Sequence, residues 1–166
     1  VMVYAKTRSA AAFLSRELQA HRVTKIYHAV VCGKPVDNVG NFVDNLYMNR
    51  EENYSVIVDK SKKEGKRAEL SYRVLSRAEE KNLTLLEIQL KTGRHHQIRV
   101  QMAHAGCPIL GDRKYGNSGI HSSSSSSASS LPMPRQLQLF AWRLTFIHPT
   151  SGRKMEFKLS DERLPF

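Results

Sequence analysis

Residues 91–116, KTGRHHQIRVQMAHAGCPILGDRKYG, gather the side chains of this chain best suited to holding an anion: Arg94 and Arg99, with His95, His96 and His104. In a helix starting near Arg94, His95 and Arg99 lie four residues apart and share a face. Arg94 then stands at the N-terminal end, where unpaired N–H groups and the macrodipole favour negative charge. Arg99 sits between Ile98 and Val100 in an otherwise apolar stretch, which predicts a partly buried guanidinium, and a buried guanidinium requires a carboxylate or phosphate. A metal site is not expected. Among His95, His96, His104 and Cys107, the two adjacent histidines should point apart and no carboxylate pair supports them. With no P-loop and no dinucleotide fingerprint, no cofactor is expected either.

The bulk composition agrees with an anionic partner. The 166-residue chain has 26 Lys and Arg against 15 Asp and Glu, a formal charge of +11, which suits RNA, DNA or an acidic membrane surface. The run Lys60, Lys62, Lys63, Lys66 and Arg67 reads as a solvated basic loop that could widen such a footprint. No apolar stretch approaches the ~18 residues of a membrane span, and no signal-peptide pattern opens the chain, so a soluble intracellular protein without membrane attachment is expected. Cys32 and Cys107 have apolar neighbours and no CxxC spacing, which predicts buried free thiols.

These residues must be positioned by a mixed set of elements. VMVYA, at 1–5, reads as a strand. Thr7 or Ser9 can cap a helix over TRSAAAFLSRELQAHR, with Ala11, Leu14 and Leu18 at helical spacing and Arg16, Glu17 and Gln19 toward water. TKIYHAVVCGKP alternates as a buried strand and stops at Gly33 and Pro35. NYSVIVD, RAELSYRVLSRAE and NLTLLEIQLKT read as three more strands, the last two an antiparallel pair across a polar corner. After Gly93 the period changes to that of a helix carrying Ile98, Met102 and Ala105 on one side, ended by Gly106 and Pro108. Gly111 and Gly116 bracket a turn. HSSSSSSASSLPMP, at 121–134, has little to bury and is expected to be a flexible insertion loop. LQLFAWRLTFIHP and RKMEFKL close the chain as a hairpin turning at HPTSGRK. The whole predicts one α+β domain over 1–166, a mixed or largely antiparallel sheet with flanking helices.

Three strings, in order, carry a resemblance. LKTGRHHQIRVQMAHAGCPILGDRKYG resembles the third motif of the RluA/RluD-type RNA pseudouridine synthases, TKIYHAVVCGKP its tyrosine-bearing strand, and LQLFAWRLTFIHPTSGRKMEFK its closing strands. The resemblance implies the pseudouridine synthase catalytic-domain fold and isomerisation of uridine in rRNA or tRNA, with RNA as partner and neither cofactor nor metal. It makes Tyr27 the active-site tyrosine that packs on the base, and Arg99 the partner of a catalytic aspartate. Arg94, His95, His96, Gln97, Lys25 and Lys114 become candidates for the RNA surface.

The resemblance also has a gap. The family's aspartate lies in an HRLDxxTSG segment just before the strand that VMVYAKT resembles. None of Asp37, Asp44, Asp59, Asp112 and Asp161 lies in such a motif. Asp112 is expected to be structural or RNA-facing. The expectations that follow are an N-terminally truncated domain, inactive alone, with Arg99 lacking its carboxylate. The alternative is a non-catalytic RNA-binding relative that assists RNA or ribosome assembly. An organelle or the nucleus would follow from a targeting signal further upstream.

Overall fold

The computed structural model describes residues 1–116, 134 and 136–160. The Ser-rich stretch therefore lies almost wholly outside the described residues. Within them, helix α1 (Arg8–Gln19) precedes strands β1 (Thr24–Cys32), β2 (Val39–Asn49), β3 (Tyr54–Val58), β4 (Lys66–Ala78) and β5 (Leu83–Leu90); helix α2 (Gln97–His104) and strands β6 (Leu139–Ile147) and β7 (Lys154–Lys158) follow. The strands form one sheet in the order β3-β2-β4-β5-β1-β6-β7, and each neighbouring pair is antiparallel. The α+β class is as the sequence implies.

Register explains why one face is the core. Tyr27 faces Ile88 across β1 and β5, and Ile88 faces Tyr72 across β5 and β4, so the three side chains share a face. Ile98 and Met102 of α2 press on this face, closing a cluster with Ala29, Val31, Leu70, Leu86 and Ile88. Lys25 pairs with Leu144, and Leu144 with Phe146 supports Leu14 of α1. Both helices thus lie on one side of the sheet, α2 over its middle and α1 over β6. Val100, on another side of α2, packs with Leu46, Ala68 and Tyr115.

Several elements differ from expectation. Residues 1–5 form no strand: Met2 and Tyr4 are exposed, and the bond from the Val1 nitrogen to the Ala141 carbonyl, 2.7 Å, is no ladder. Strand β2 was not foreseen, because Gly40, Asn41, Asp44, Asn45 and Asn49 are poor strand formers; pairing on both sides with β3 and β4 overrides that preference. Thr7 caps α1 through a bond from the Ala10 N–H, but Glu17 is buried and paired with Arg22 while Leu18 is exposed. Helix α2 starts at Gln97, after Arg94, and Ala105 is exposed just beyond its end.

Gly40 marks the tightest approach in the sheet. A Cβ there would stand 2.6 Å from Tyr72 Cε1, in a ring that is buried and packs on Phe42 at 5.2 Å between centroids. Gly40→Ala must displace that ring, and the expected cost is about 1–3 kcal/mol, read as a lower urea midpoint. An unchanged midpoint would show that Tyr72 moves freely.

Candidate RNA interface and active-site cleft

The segment entering α2 is tied down by side chains before it can present any. The Lys91 and Thr92 N–H groups both reach the Glu69 carbonyl. Thr92 Oγ1 accepts from the Glu69 N–H at 2.7 Å and donates to Gln97 Oε1 at 2.8 Å. Gln97 Oε1 also accepts from the Arg94 N–H at 3.0 Å, and its Nε2 donates to the Glu69 carbonyl. Gln97 is 3% exposed. Gln97, expected among the candidates for the RNA surface, is placed with its amide consumed in fixing the loop to β4. Arg94 sits on that loop, exposed, its Nε donating to the Arg67 carbonyl at 2.8 Å.

Arg99 is not the uncompensated charge that the sequence suggests. Its Nε and Nη2 donate to the two carboxylate oxygens of Asp112, each at 2.8 Å, and its Nη1 approaches His96 Nε2 at 3.1 Å. Asp112 is 1% exposed, so of its two expected roles the structural one fits. Its Oδ1 also accepts from the Lys114 and Tyr115 N–H groups. Burial works against the Asp112 charge, but the Arg99 hydrogen bond, those two N–H groups and the Arg99 charge outweigh it and hold the carboxyl below its usual range. The Asp112 hydrogen bond, against burial, holds the Arg99 guanidinium above its own. Nothing in the charge pattern named Asp112 as the partner. The signal was nonetheless present, since an arginine in an apolar helix needs a carboxylate and the same motif ends in GDRKYG.

His95 and His96 do not point apart. Their ring centroids are 3.8 Å from each other; His95 Nδ1 pairs with Ser55 Oγ and His96 Nδ1 with the Tyr115 hydroxyl, both at 2.9 Å. The Tyr115 hydroxyl in turn accepts the Ser55 N–H at 2.9 Å, so the turn after α2 and strand β3 are locked together. Sequence reasoning passed over Ser55 and Tyr115. Among the described residues, no group of three or more His, Cys, Asp or Glu could hold a metal ion, and no helix is long and apolar enough to cross a membrane.

Two clefts concern the 91–96 loop, one with Gly93, Arg94 and His95 in its wall and one whose Lys25 reaches Gly93. One, of about 710 Å³, has Tyr47, Arg50, Lys66, Arg94 and His95 in its wall together with Glu51 and Glu64, and Lys62 lies 4.0 Å over the Tyr47 ring. Cationic groups beside an aromatic ring suit phosphate and base together. The other, of about 230 Å³, is lined by Lys25 and Tyr27 with Met2, Tyr4, Leu14 and Leu144. Burial pushes the Tyr27 phenol up and the Lys25 ammonium down. A Cβ on Gly93 would come within 3.2 Å of Lys25 Nζ, so the lysine reaches the loop. No carboxylate lines this second cleft among the described residues. Lys114 lies apart from both, its Nζ donating to the Asn53 carbonyl at 2.6 Å. Arg99 turns toward Asp112 and His96, and no hydrogen bond joins it to Tyr27 among the described residues.

These shifts set a pH dependence. Burial, then the charges of Arg99, His95 and Lys114, lower His96 from 6.5 to about 4. Between those values the unfolded chain holds the extra proton, so stability falls as pH is lowered through the window and is constant above it. The Asp112 contribution follows at lower pH, being lost as its depressed carboxyl is protonated. Urea midpoints at about pH 7 and about pH 4.5 should show a drop that His96→Asn reduces. An equal drop in both proteins would contradict the His96 assignment.

The family model described as RNA pseudouridylate synthase matches residues 1–104. An "Uncharacterized RNA pseudouridine synthase" of Aquifex aeolicus is 37% identical over 161 residues, 97% of this chain and 49% of its own length. "Ribosomal large subunit pseudouridine synthase D" of Zymomonas mobilis is 36% identical over 95% of this chain and 47% of its own length. The chain thus spans about half the length of these relatives. The solved structure of "Human RNA Pseudouridylate Synthase Domain Containing 1" is similar with a TM-score of 0.73 at 24% identity, covering 97% of this chain and 64% of that one, a likeness of fold. Because the matched pattern runs through α1, the β1 tyrosine and the sheet to the end of α2, the chain belongs to the RNA pseudouridylate synthase family.

Proposed function

We propose that this chain contributes the tyrosine and arginine half of an RNA pseudouridine synthase site, acting on a uridine in ribosomal or transfer RNA inside the cell or in an RNA-containing organelle. The names of the bacterial relatives favour ribosomal RNA. The observation that carries the reading is that Lys25 and Tyr27 of β1 line one cleft, with Lys25 reaching Gly93 of the Arg94-bearing loop. The reaction breaks a C–N glycosidic bond, turns the base and forms a C–C bond, so it needs a flipped nucleotide, a carboxylate and a route for one proton. Tyr27 offers a ring face to the base and a phenol whose ionisation burial makes still harder. Arg94, on the wall of the larger cleft with His95 next to it, and Lys25 beside the smaller one offer charge to the backbone. Asp112 is poorly placed to supply that carboxylate: it is buried and paired at both oxygens with Arg99, and its Oδ1 accepts two further backbone N–H groups.

The test is pseudouridine mapping after incubation with ribosomal RNA, using the 166-residue chain alone and fused behind a segment carrying HRLDxxTSG. Product is expected from the fusion only, and Tyr27→Phe should cut its rate by about 10²-fold or more. Product from the unfused chain would mean that another residue supplies the carboxylate. Salt-sensitive RNA binding by a fusion that forms no product would instead favour a non-catalytic RNA-binding relative. In either form, Arg94→Ala should weaken RNA binding by about 1 kcal/mol and flatten its salt slope by about one phosphate. Unchanged salt dependence would remove Arg94 from the interface.

A further inference from the structure

A third cleft, of about 440 Å³, has Arg22, Thr24, Arg143, Thr145, Lys154 and Glu156 in its wall. Register puts it on the sheet face away from the helices. Lys25 pairs with Leu144, which packs on Leu14 of α1. Side chains alternate along a strand, so Thr24 with its partner Thr145, and Arg143 with its partner Ile26, point to the opposite face. On β7, Glu156 pairs with Thr145 and Lys154 with Ile147, and both stand on that face too. Three cations thus share a wall with one carboxylate. Glu156 accepts from the Thr145 hydroxyl at 3.0 Å, and Arg22 is held by Glu17 through its Nε and Nη2. Arg143 is different. It is half-buried, its Nε is covered without a hydrogen-bond partner, and among the described residues no ion pair joins it or Lys154 to a carboxylate. Its register partner on β7 is Lys158, a like charge. A guanidinium does not shed its proton, so a partly covered, unpaired one calls for an anion.

We propose that Arg143 and Lys154, with the remaining N–H groups of Arg22 and the Thr24 hydroxyl, form a second anion site that holds a phosphate group, on the face of the sheet opposite the Tyr27 cleft. The site stands whether or not the chain belongs to an active synthase. Its donors come from β1, β6, β7 and the residue two before β1. A tetrahedral phosphate offers oxygens to donors converging from several directions, whereas a planar carboxylate is met best along one edge. The cleft falls in the range of ordinary ligand clefts, about 300–1,000 Å³, so a phosphate can enter with the sugar that carries it. Glu156 opposes the anion, so a single phosphate should bind weakly. An RNA backbone phosphate and a free phosphate ester share this chemistry.

The test is a titration of inorganic phosphate into the ¹⁵N-labelled 166-residue chain at constant ionic strength. The amides of Thr24, Arg143, Thr145 and Lys154 should shift together with one dissociation constant. Arg143→Gln should weaken that binding about tenfold or more, and Lys154→Gln about threefold. Glu156→Gln keeps an acceptor for Thr145 and removes the opposing charge, so it should tighten binding about threefold. Without phosphate, Arg143→Gln should leave the urea midpoint unchanged, since no partner is lost. Added phosphate should raise the wild-type midpoint more than the variant's. Short single-stranded RNA separates the two sources. If the RNA backbone is the ligand, Arg143→Gln flattens the salt slope of RNA binding by about one phosphate. If a free phosphate ester is, that slope is unchanged while the phosphate shifts remain, and either result keeps the site. The absence of a local shift with phosphate would overturn the proposal. So would a Glu156→Gln that weakens binding together with an Arg143→Gln that lowers the midpoint, because Glu156 would then be the partner of Arg143.

Discussion

The buried ion pair between Arg99 and Asp112 joins the parts of this molecule that the sequence leaves unconnected. Asp112 is fully covered, and the pair is bidentate with both bonds at 2.8 Å. Burying two charges costs several kcal/mol each, and only such geometry, with the remaining lone pairs satisfied, offsets it. Two backbone N–H groups on Asp112 Oδ1 add to that geometry and bend the chain after Asp112 into the turn that carries Tyr115. Tyr115 then reaches the Ser55 N–H of β3 and the His96 ring. One ion pair therefore fixes α2, the following turn and the outer strand of the sheet relative to one another.

That fixation divides the helix-bearing face into a rigid part and an open part. Under α2 the side chains are close-packed: Met102, Leu70, Leu86 and Ile88 are all fully buried. Beside it the 91–96 loop is held by Thr92 and Gln97, leaving Arg94 and His95 on a cleft wall and Gly93 against Lys25. Ion pairs on the exposed strands, such as Arg67 and Lys91 on Glu69, keep that carboxylate ionised but contribute little to stability, because water screens them.

Much of the sheet was legible because strands β1, β4 and β5 alternate and end at glycine, proline or polar corners. Strand β2 was not, since its polar residues conceal the alternation and only pairing with β3 and β4 reveals it. The cationic character of residues 91–116 could be read from residue types, and the roles expected of Tyr27 and Arg99 came from the resemblance. The partners could not. Whether Gln97 faces solvent or clamps a loop depends on where α2 begins, and the start moved from near Arg94 to Gln97. The contact between His95 and His96 depends on the left-handed conformation of His96, which residue type alone does not announce.

The central claim, that the Arg99–Asp112 pair is the interaction on which the others depend, is tested most directly by a double-mutant cycle with Arg99→Met and Asp112→Asn, read by urea unfolding. The account predicts that each single change destabilises by about 3 kcal/mol, because it strands a buried group. The double change should cost clearly less than the sum, a coupling of about 2 kcal/mol or more. Additive losses, with no coupling between the two positions, would contradict it.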